Sequence, residues 1–224
     1  LIMKYQNLTK PTPYLYYFCT IQNISSILDF GILSRNKAIE LGVFKEDNDW
    51  SNRQIQFYRK NTSIVLSSGK KSSGHDLVCT FFSPYNTTIY KAQEILNIKG
   101  GEYSESSLVI AINIKKLLTN MDKAFAFSDR NVGAKDENVN YYNSLSDINK
   151  LDWSVINQTY KKFDDYTDPT FREWRNKKSA EFLIENIVEP KYFSQLLCIS
   201  EDTKAFLQKN TQISVEVRKN LALY

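Results

Sequence analysis

The run Arg175-Asn-Lys-Lys-Ser-Ala-Glu181-Phe-Leu-Ile184 sets one carboxylate at the head of an apolar segment, directly after a cluster of cations. If residues 180–184 form a strand, its period of two puts Ala180, Phe182 and Ile184 on one face and Glu181 with Leu183 on the other. The acid is then held on a rigid element. Glutamate is seldom buried without a partner, so the residues alone read Glu181 as a solvated strand end or as the partner of a preceding lysine. A second basic stretch contains Arg53, Arg59, Lys60, Lys70 and Lys71 and no acid between them. Two local basic patches result. Arg59 on its own reads as a solvated loop arginine. His75 is the single histidine and cannot belong to a multi-histidine metal site; it reads as a turn residue bonded to backbone. Ser67-Ser-Gly-Lys-Lys-Ser-Ser-Gly74 lacks both the spacing of a Walker motif and a following apolar helix, so it is expected to be a flexible loop.

The 224 residues fit one large domain or two small ones, and 42% hydrophobic residues suffice for a packed core. Net charge is +4, too small to define a nucleic-acid binder by sum alone, which is why the placement of the cations matters. Fourteen Tyr and thirteen Phe can fill a core or offer planar faces to bases and to a nicotinamide. Cys19, Cys79 and Cys198 are widely spaced in apolar runs, which gives neither a disulfide ladder nor a metal-ligand spacing and suits a reducing cytosol. No apolar run approaches the roughly 20 residues of a membrane span, and residues 1–4 are too short for a signal peptide. A soluble, intracellular chain is expected.

The elements that must position these residues read as follows. Residues 14–21 form a strand after Pro11 and Pro13; Asn23 caps a short helix through Ile24, Ile27 and Leu28 that ends at Gly31. Residues 34–60 have poor periodicity and form a long segment over a ligand, with Trp50, Ile55, Phe57 and Tyr58 able to anchor a short helix. Strands follow at 76–82, 108–114 and 125–127, the last delivering Ser128-Asp129-Arg130; residues 87–97 look helical, 99–101 form a turn and 131–143 form a loop. A helix is expected over 146–160, with Trp153 in the core, and another starting at Asp168-Pro169. Strands at 196–200 and 213–218 enclose a helix of about eight residues. Without regular βαβ alternation, the class is α+β.

Several passages in this order and spacing resemble the DarT family of DNA ADP-ribosyltransferase toxins. They are residues 15–33, Ile55-Gln-Phe-Tyr-Arg59, His75-Asp76 leading to Phe81-Phe-Ser-Pro84 and Tyr90, Phe127-Ser-Asp-Arg130, Leu151-Asp-Trp153, Ala180-Glu-Phe-Leu183 and Val217-Arg-Lys219. The resemblance implies a single ADP-ribosyltransferase domain over 1–224, with a mostly antiparallel, split central β-sheet flanked by helices. It implies transfer of ADP-ribose from NAD to a base of single-stranded DNA, thymidine in the best-known branch, with no metal and with a macrodomain antitoxin (DarG-like) as partner in the cytoplasm. The family's catalytic arginine and glutamate match Arg59 and Glu181. By the same analogy Tyr17, Cys19, Asn23 and Arg59 hold NAD under segment 35–59. Region 129–178 presents the nucleic acid, which Arg53, His75, Arg130, Arg175 and Lys178 contact. Where the family has histidine, any residue, threonine in the first strand, this chain has Tyr17-Phe18-Cys19. The alternatives are transfer to guanine or RNA, and a single-stranded nucleic-acid binding module without catalysis.

Overall fold

A computed structural model describes residues 12–45, 53–86, 107–120, 122–133, 139–159 and 167–218. In chain order the elements are β1 (Tyr14–Thr20), α1 (Ile24–Phe30), β2 (Ile32–Leu33), α2 (Arg35–Glu40), α3 (Arg53–Asn61), β3 (Ser63–Val65), β4 (Lys71–Ser73), β5 (Leu77–Phe81), β6 (Ser107–Asn113), α4 (Ile114–Asn120), β7 (Phe125–Ser128), β8 (Tyr141–Tyr142), α5 (Trp153–Ile156), α6 (Pro169–Lys178), β9 (Glu181–Glu185), β10 (Ile187–Val188), β11 (Phe193–Cys198), α7 (Glu201–Asn210) and β12 (Ser214–Val217). Eight strands make one sheet in the order β12-β11-β6-β1-β5-β9-β7-β8, antiparallel except for β11 with β12. Small ladders join β2 to β10 and β3 to β4.

The sheet is split at its middle. Strands β1 and β6 pair along seven residues, and β5 and β9 along five, but β1 meets β5 only at Tyr16 opposite Phe81. Beyond that contact the two strands diverge, so the backbone opens a crevice without breaking either half. Side chains alternate accordingly. Leu108, Ile110 and Ile112 of β6 join Phe182 and Ile184 of β9 in the main core, which α1 covers through Ile24 and Ile27. On the other face the core is divided in two. Tyr16, Val109, Ala111 and Leu197 form one cluster, and Ile64, Leu77, Ala126, Val132 and Leu183 the other. The chain's β-branched strands are thus buried on both faces, and the division falls where β1 leaves β5.

Local chemistry explains most of the boundaries. Gly31 ends α1 at φ 83°, and a Cβ there would sit 2.6 Å from the Val188 carbonyl oxygen, so the turn into β2 requires glycine. Asp168 accepts from the Thr170 N–H at 2.6 Å with Pro169 in the first turn, and Ser200 caps α7 through the Thr203 N–H.

Four expectations are corrected. Residues 34–60 include the short helix expected around Ile55, Phe57 and Tyr58, which is α3, and also α2, which their poor periodicity did not show. Residues 67–74 are not wholly loop, because Lys71–Ser73 pair with β3. Residues 131–143 include β8, held to β7 at Phe127 and Ser128. The helix expected over 146–160 is a 3-10 segment, Leu145–Lys150, followed by α5, because Leu151 is extended and Asp152 caps a new start by accepting from Val155 N–H. The helix expected at 87–97, the turn at 99–101 and Tyr90 lie outside the described residues. No helix among the described residues is long and apolar enough to cross a membrane.

Candidate active site

Glu181 opens β9, between Phe81 of β5 and Ser128 of β7. The strand period turns it away from the main core, as the sequence pattern requires, but the carboxylate is neither solvated nor paired with a lysine. It is fully buried. Arg59 Nη2 donates to Glu181 Oε1 at 2.7 Å, Asn131 Nδ2 donates to the same oxygen at 3.3 Å, and Val132 N–H donates to Oε2 at 3.0 Å. Burial raises the carboxyl above its ordinary pKa, while Arg59 and the Val132 N–H pull it down. The Arg59 side chain is 18% exposed, and its buried Nε has no hydrogen-bond partner among the described residues. One cation therefore reaches the carboxylate with one arm and keeps a second donor unused.

Helix α3 supplies Arg59, and its fit is tight. A Cβ on Gly133 would lie 2.1 Å from Ile55 Cγ2, so the Asn131–Gly133 turn packs on α3 only because residue 133 has no side chain. Gly133 N–H also donates to Asn131 Oδ1 at 2.7 Å. The turn after β7 is thereby fixed over Glu181.

Beside this pair, the divergence of β1 and β5 opens a cleft of about 670 Å³, within the range of small-molecule sites. Tyr17 and Cys19 line it from β1, Asn23 and Ser26 from the start of α1, Cys79 from β5, and Arg59 from α3. All four residues assigned to NAD from the sequence, Tyr17, Cys19, Asn23 and Arg59, are thus brought together. Asn23 occupies the N-cap position of α1 without capping it by its side chain. Cys19 is pushed up to about 12 by burial, so its thiol stays neutral. The cover of the cleft is α2 and the residues after it. Ser34 caps α2 through the Lys37 N–H, Asn36 Nδ2 donates to Asp76 Oδ1 at 2.7 Å, and the Arg35 guanidinium lies 4.5 Å from the centre of the Phe44 ring. Arg35, Phe44 and Lys45 line the cleft and were not singled out from the sequence. The lining carries Arg35, Lys45 and Arg59 and, among the described residues, no carboxylate, a balance of charge that suits an anionic ligand.

The residues expected to contact nucleic acid divide. Arg53 is exposed on α3, and Arg175 is half-buried with its guanidinium 5.9 Å from the Phe171 ring centre. His75 stands instead on the cleft wall, with Nε2 3.0 Å from Gln56 Oε1. Arg130 grips Glu173 of α6 with both Nη atoms, at 2.6 and 2.9 Å, and so braces the turn after β7 instead of offering its fork to a phosphate. Lys178 is a clear correction. It is 1% exposed, and its amine donates to the Ile156 carbonyl at 2.5 Å, to the Gln158 carbonyl and to Ser83 Oγ at 3.5 Å, with burial lowering its pKa to about 8. Three residues before Glu181, at the end of α6, it faces the interior and ties α6 to the end of α5 and the residues just after it. Lys178→Met is accordingly expected to cost about 1–3 kcal/mol of stability, because two buried carbonyls lose their donor. Thermal unfolding should show that loss, while the salt dependence of oligonucleotide binding stays as in the parent.

This architecture is that of solved ADP-ribosyltransferases. The model superposes on Thermus sp. 2.9 DarT in complex with ADP-ribosylated ssDNA with a TM-score of 0.74, at 20% identity, covering 93% of this chain and 95% of that one. Thermosipho africanus DarTG in complex with ADP-ribose gives 0.72 at 20% identity over 93% of this chain and 50% of that chain. In sequence, a DNA ADP-ribosyl transferase of Escherichia coli O127:H6 (strain E2348/69 / EPEC) is 23% identical over 205 residues, 88% of this chain and 87% of that protein. The family model described as ssDNA thymidine ADP-ribosyltransferase, DarT, matches residues 16–222, and the chain belongs to that family.

Proposed function

We propose that Glu181 and Arg59 are the catalytic pair with which this DarT-family enzyme transfers ADP-ribose from NAD to a thymine of single-stranded DNA, releasing nicotinamide. The observation that carries this reading is the buried Arg59–Glu181 pair at the edge of the split-sheet cleft. Of the two carboxylate oxygens, Oε2 accepts only the Val132 N–H among the described residues, so it keeps a lone pair for a ribose hydroxyl. Loss of nicotinamide breaks the C1′–N bond and leaves an oxocarbenium-like ribose. A nearby carboxylate, and a hydrogen bond to the neighbouring hydroxyl, stabilise that charge as it grows. Attack by a ring nitrogen of thymine at C1′ then forms the new bond, and the proton on that nitrogen passes to Glu181. Arg59, whose side chain lines the cleft, supplies its guanidinium to the pyrophosphate, and Tyr17, Cys19 and Asn23 line the nicotinamide side. Segment 35–59 covers NAD, and region 129–178 presents the strand. The Asn131–Val132 turn holds Glu181 from the outside.

The family description names thymidine and single-stranded DNA, which favours thymine over guanine or RNA as the acceptor. A binding module that had lost catalysis has no need of a buried carboxylate held by an arginine. The three free thiols and the use of NAD fit the cytoplasm, with a DarG-like macrodomain antitoxin as the partner that reverses the modification.

Proton transfer requires Glu181 to be ionised, and burial shifts its titration upward from the ordinary glutamate value. Activity is therefore expected to fall as pH drops through a value above that of an exposed glutamate, and to be restored as pH rises. The acid limb of kcat/KM against pH, measured on a thymine oligonucleotide, checks this. A limb at the ordinary carboxylate value, or none, would remove Glu181 as the titrating group.

A further inference from the structure

Helix α3 has a second working face. Arg53, Phe57 and Lys60 recur at the i, i+4, i+7 spacing of one helix face, while Ile55 and Arg59 lie opposite, toward Gly133 and Glu181. Phe57 is 64% exposed, more than any other large hydrophobic side chain among the described residues. The ring meets Tyr58 edge-on, with centroids 5.8 Å apart, and leaves most of its surface to solvent. The cations around it also differ from the rest of their run. Arg59 and Lys70 pair with Glu181 and Glu185, whereas Arg53, Lys60 and Lys71 are exposed and form no ion pair among the described residues. An open aromatic ring between unpaired cations is the composition of a single-strand platform, with the ring stacking a base and the cations following the backbone.

We propose that the Arg53–Phe57–Lys60 face of α3 is a docking platform for the single strand outside the catalytic pocket. This rests on the reading of the chain as a DNA ADP-ribosyltransferase. A helix with its side chains is about 10 Å thick, so a base stacked on Phe57 cannot be the one at Glu181. It belongs to a nucleotide further along the same strand. The platform therefore governs how tightly longer substrates are held, and leaves the chemistry to the opposite face.

The test compares two substrates, a thymine-containing trinucleotide and a long oligonucleotide with one central thymine, in the parent, Phe57→Ala and Phe57→Trp. Phe57→Ala is expected to weaken binding of the long oligonucleotide on the order of tenfold and to raise its KM in step, with no rise in KM for the trinucleotide. Phe57→Trp should retain affinity and show quenched emission on binding. In Lys60→Gln the salt dependence of binding should become shallower by about one phosphate contact. Equal loss on both substrates, or no loss on the long one, would overturn the platform; the latter outcome would make the exposed ring a protein-docking face. Failure of the parent to modify either substrate would instead overturn the underlying reaction.

Discussion

Glu181→Gln is expected to lower ADP-ribosylation by about 10³–10⁴-fold while leaving the fold and oligonucleotide binding in place. The amide retains an oxygen that accepts from Arg59 or Val132, so the buried donors are not all orphaned and the cost in stability is about 1–2 kcal/mol. What the amide lacks is the negative charge that stabilises the oxocarbenium-like ribose and the basicity that takes the proton from thymine. Both losses act on the transition state, so kcat falls with KM for NAD little changed. Initial rates with saturating NAD and oligonucleotide, beside a thermal unfolding curve, separate this outcome from misfolding. A variant with parental rates would place the catalytic carboxylate elsewhere.

Arg59→Lys is expected to cost about 10²-fold in rate. Lysine keeps the charge but concentrates it on one ammonium, so it cannot reproduce the planar fork that holds Glu181 and lines the cleft at once. Arg59→Ala goes further, leaving the Glu181 carboxylate buried without its cation at a cost of about 3 kcal/mol. The signs of the two effects on titration are distinct. Arg59 pulls the Glu181 pKa down against burial, so its removal lets that pKa climb and moves the acid limb of the rate profile to higher pH. Lysine largely holds the limb in place. A pH–rate profile of the alanine variant that does not move would mean that Arg59 and Glu181 do not act on one another during the reaction.

The residues with a strong period were legible in the sequence. Leu108 to Ile112 and Phe182 to Ile184 showed two-sided burial, Asp168-Pro169 marked a helix start, and Gly31 marked a helix end, because each is decided by local sterics or capping. The residue pattern alone placed Glu181 on the correct face of its strand but left it solvated or beside a lysine, and only the family resemblance set Arg59 with it. Its partner lies 122 positions earlier in the chain, and no local pattern encodes that distance. Lys178 was misread for the complementary reason. A lysine in a basic run looks solvent-facing, yet its position on α6 points it at the carbonyls of Ile156 and Gln158, which satisfy a buried ammonium. Val132 could not have been found at all, since the group that holds Glu181 is a backbone N–H and carries no residue signature. The Asn131 contact depends on Gly133 fitting against Ile55, a tertiary fact that a loop sequence does not display.

The most direct measurement is to incubate the protein with NAD and single-stranded DNA oligonucleotides, each lacking one base, and to weigh the products. The assignment predicts one added ADP-ribose on every oligonucleotide that contains thymine, none on the oligonucleotide without it, and none anywhere with Glu181→Gln. Modification that persists without thymine would contradict the acceptor. Modification that persists in Glu181→Gln would contradict the catalytic pair. No added mass on any strand that the protein demonstrably binds would contradict the transfer itself.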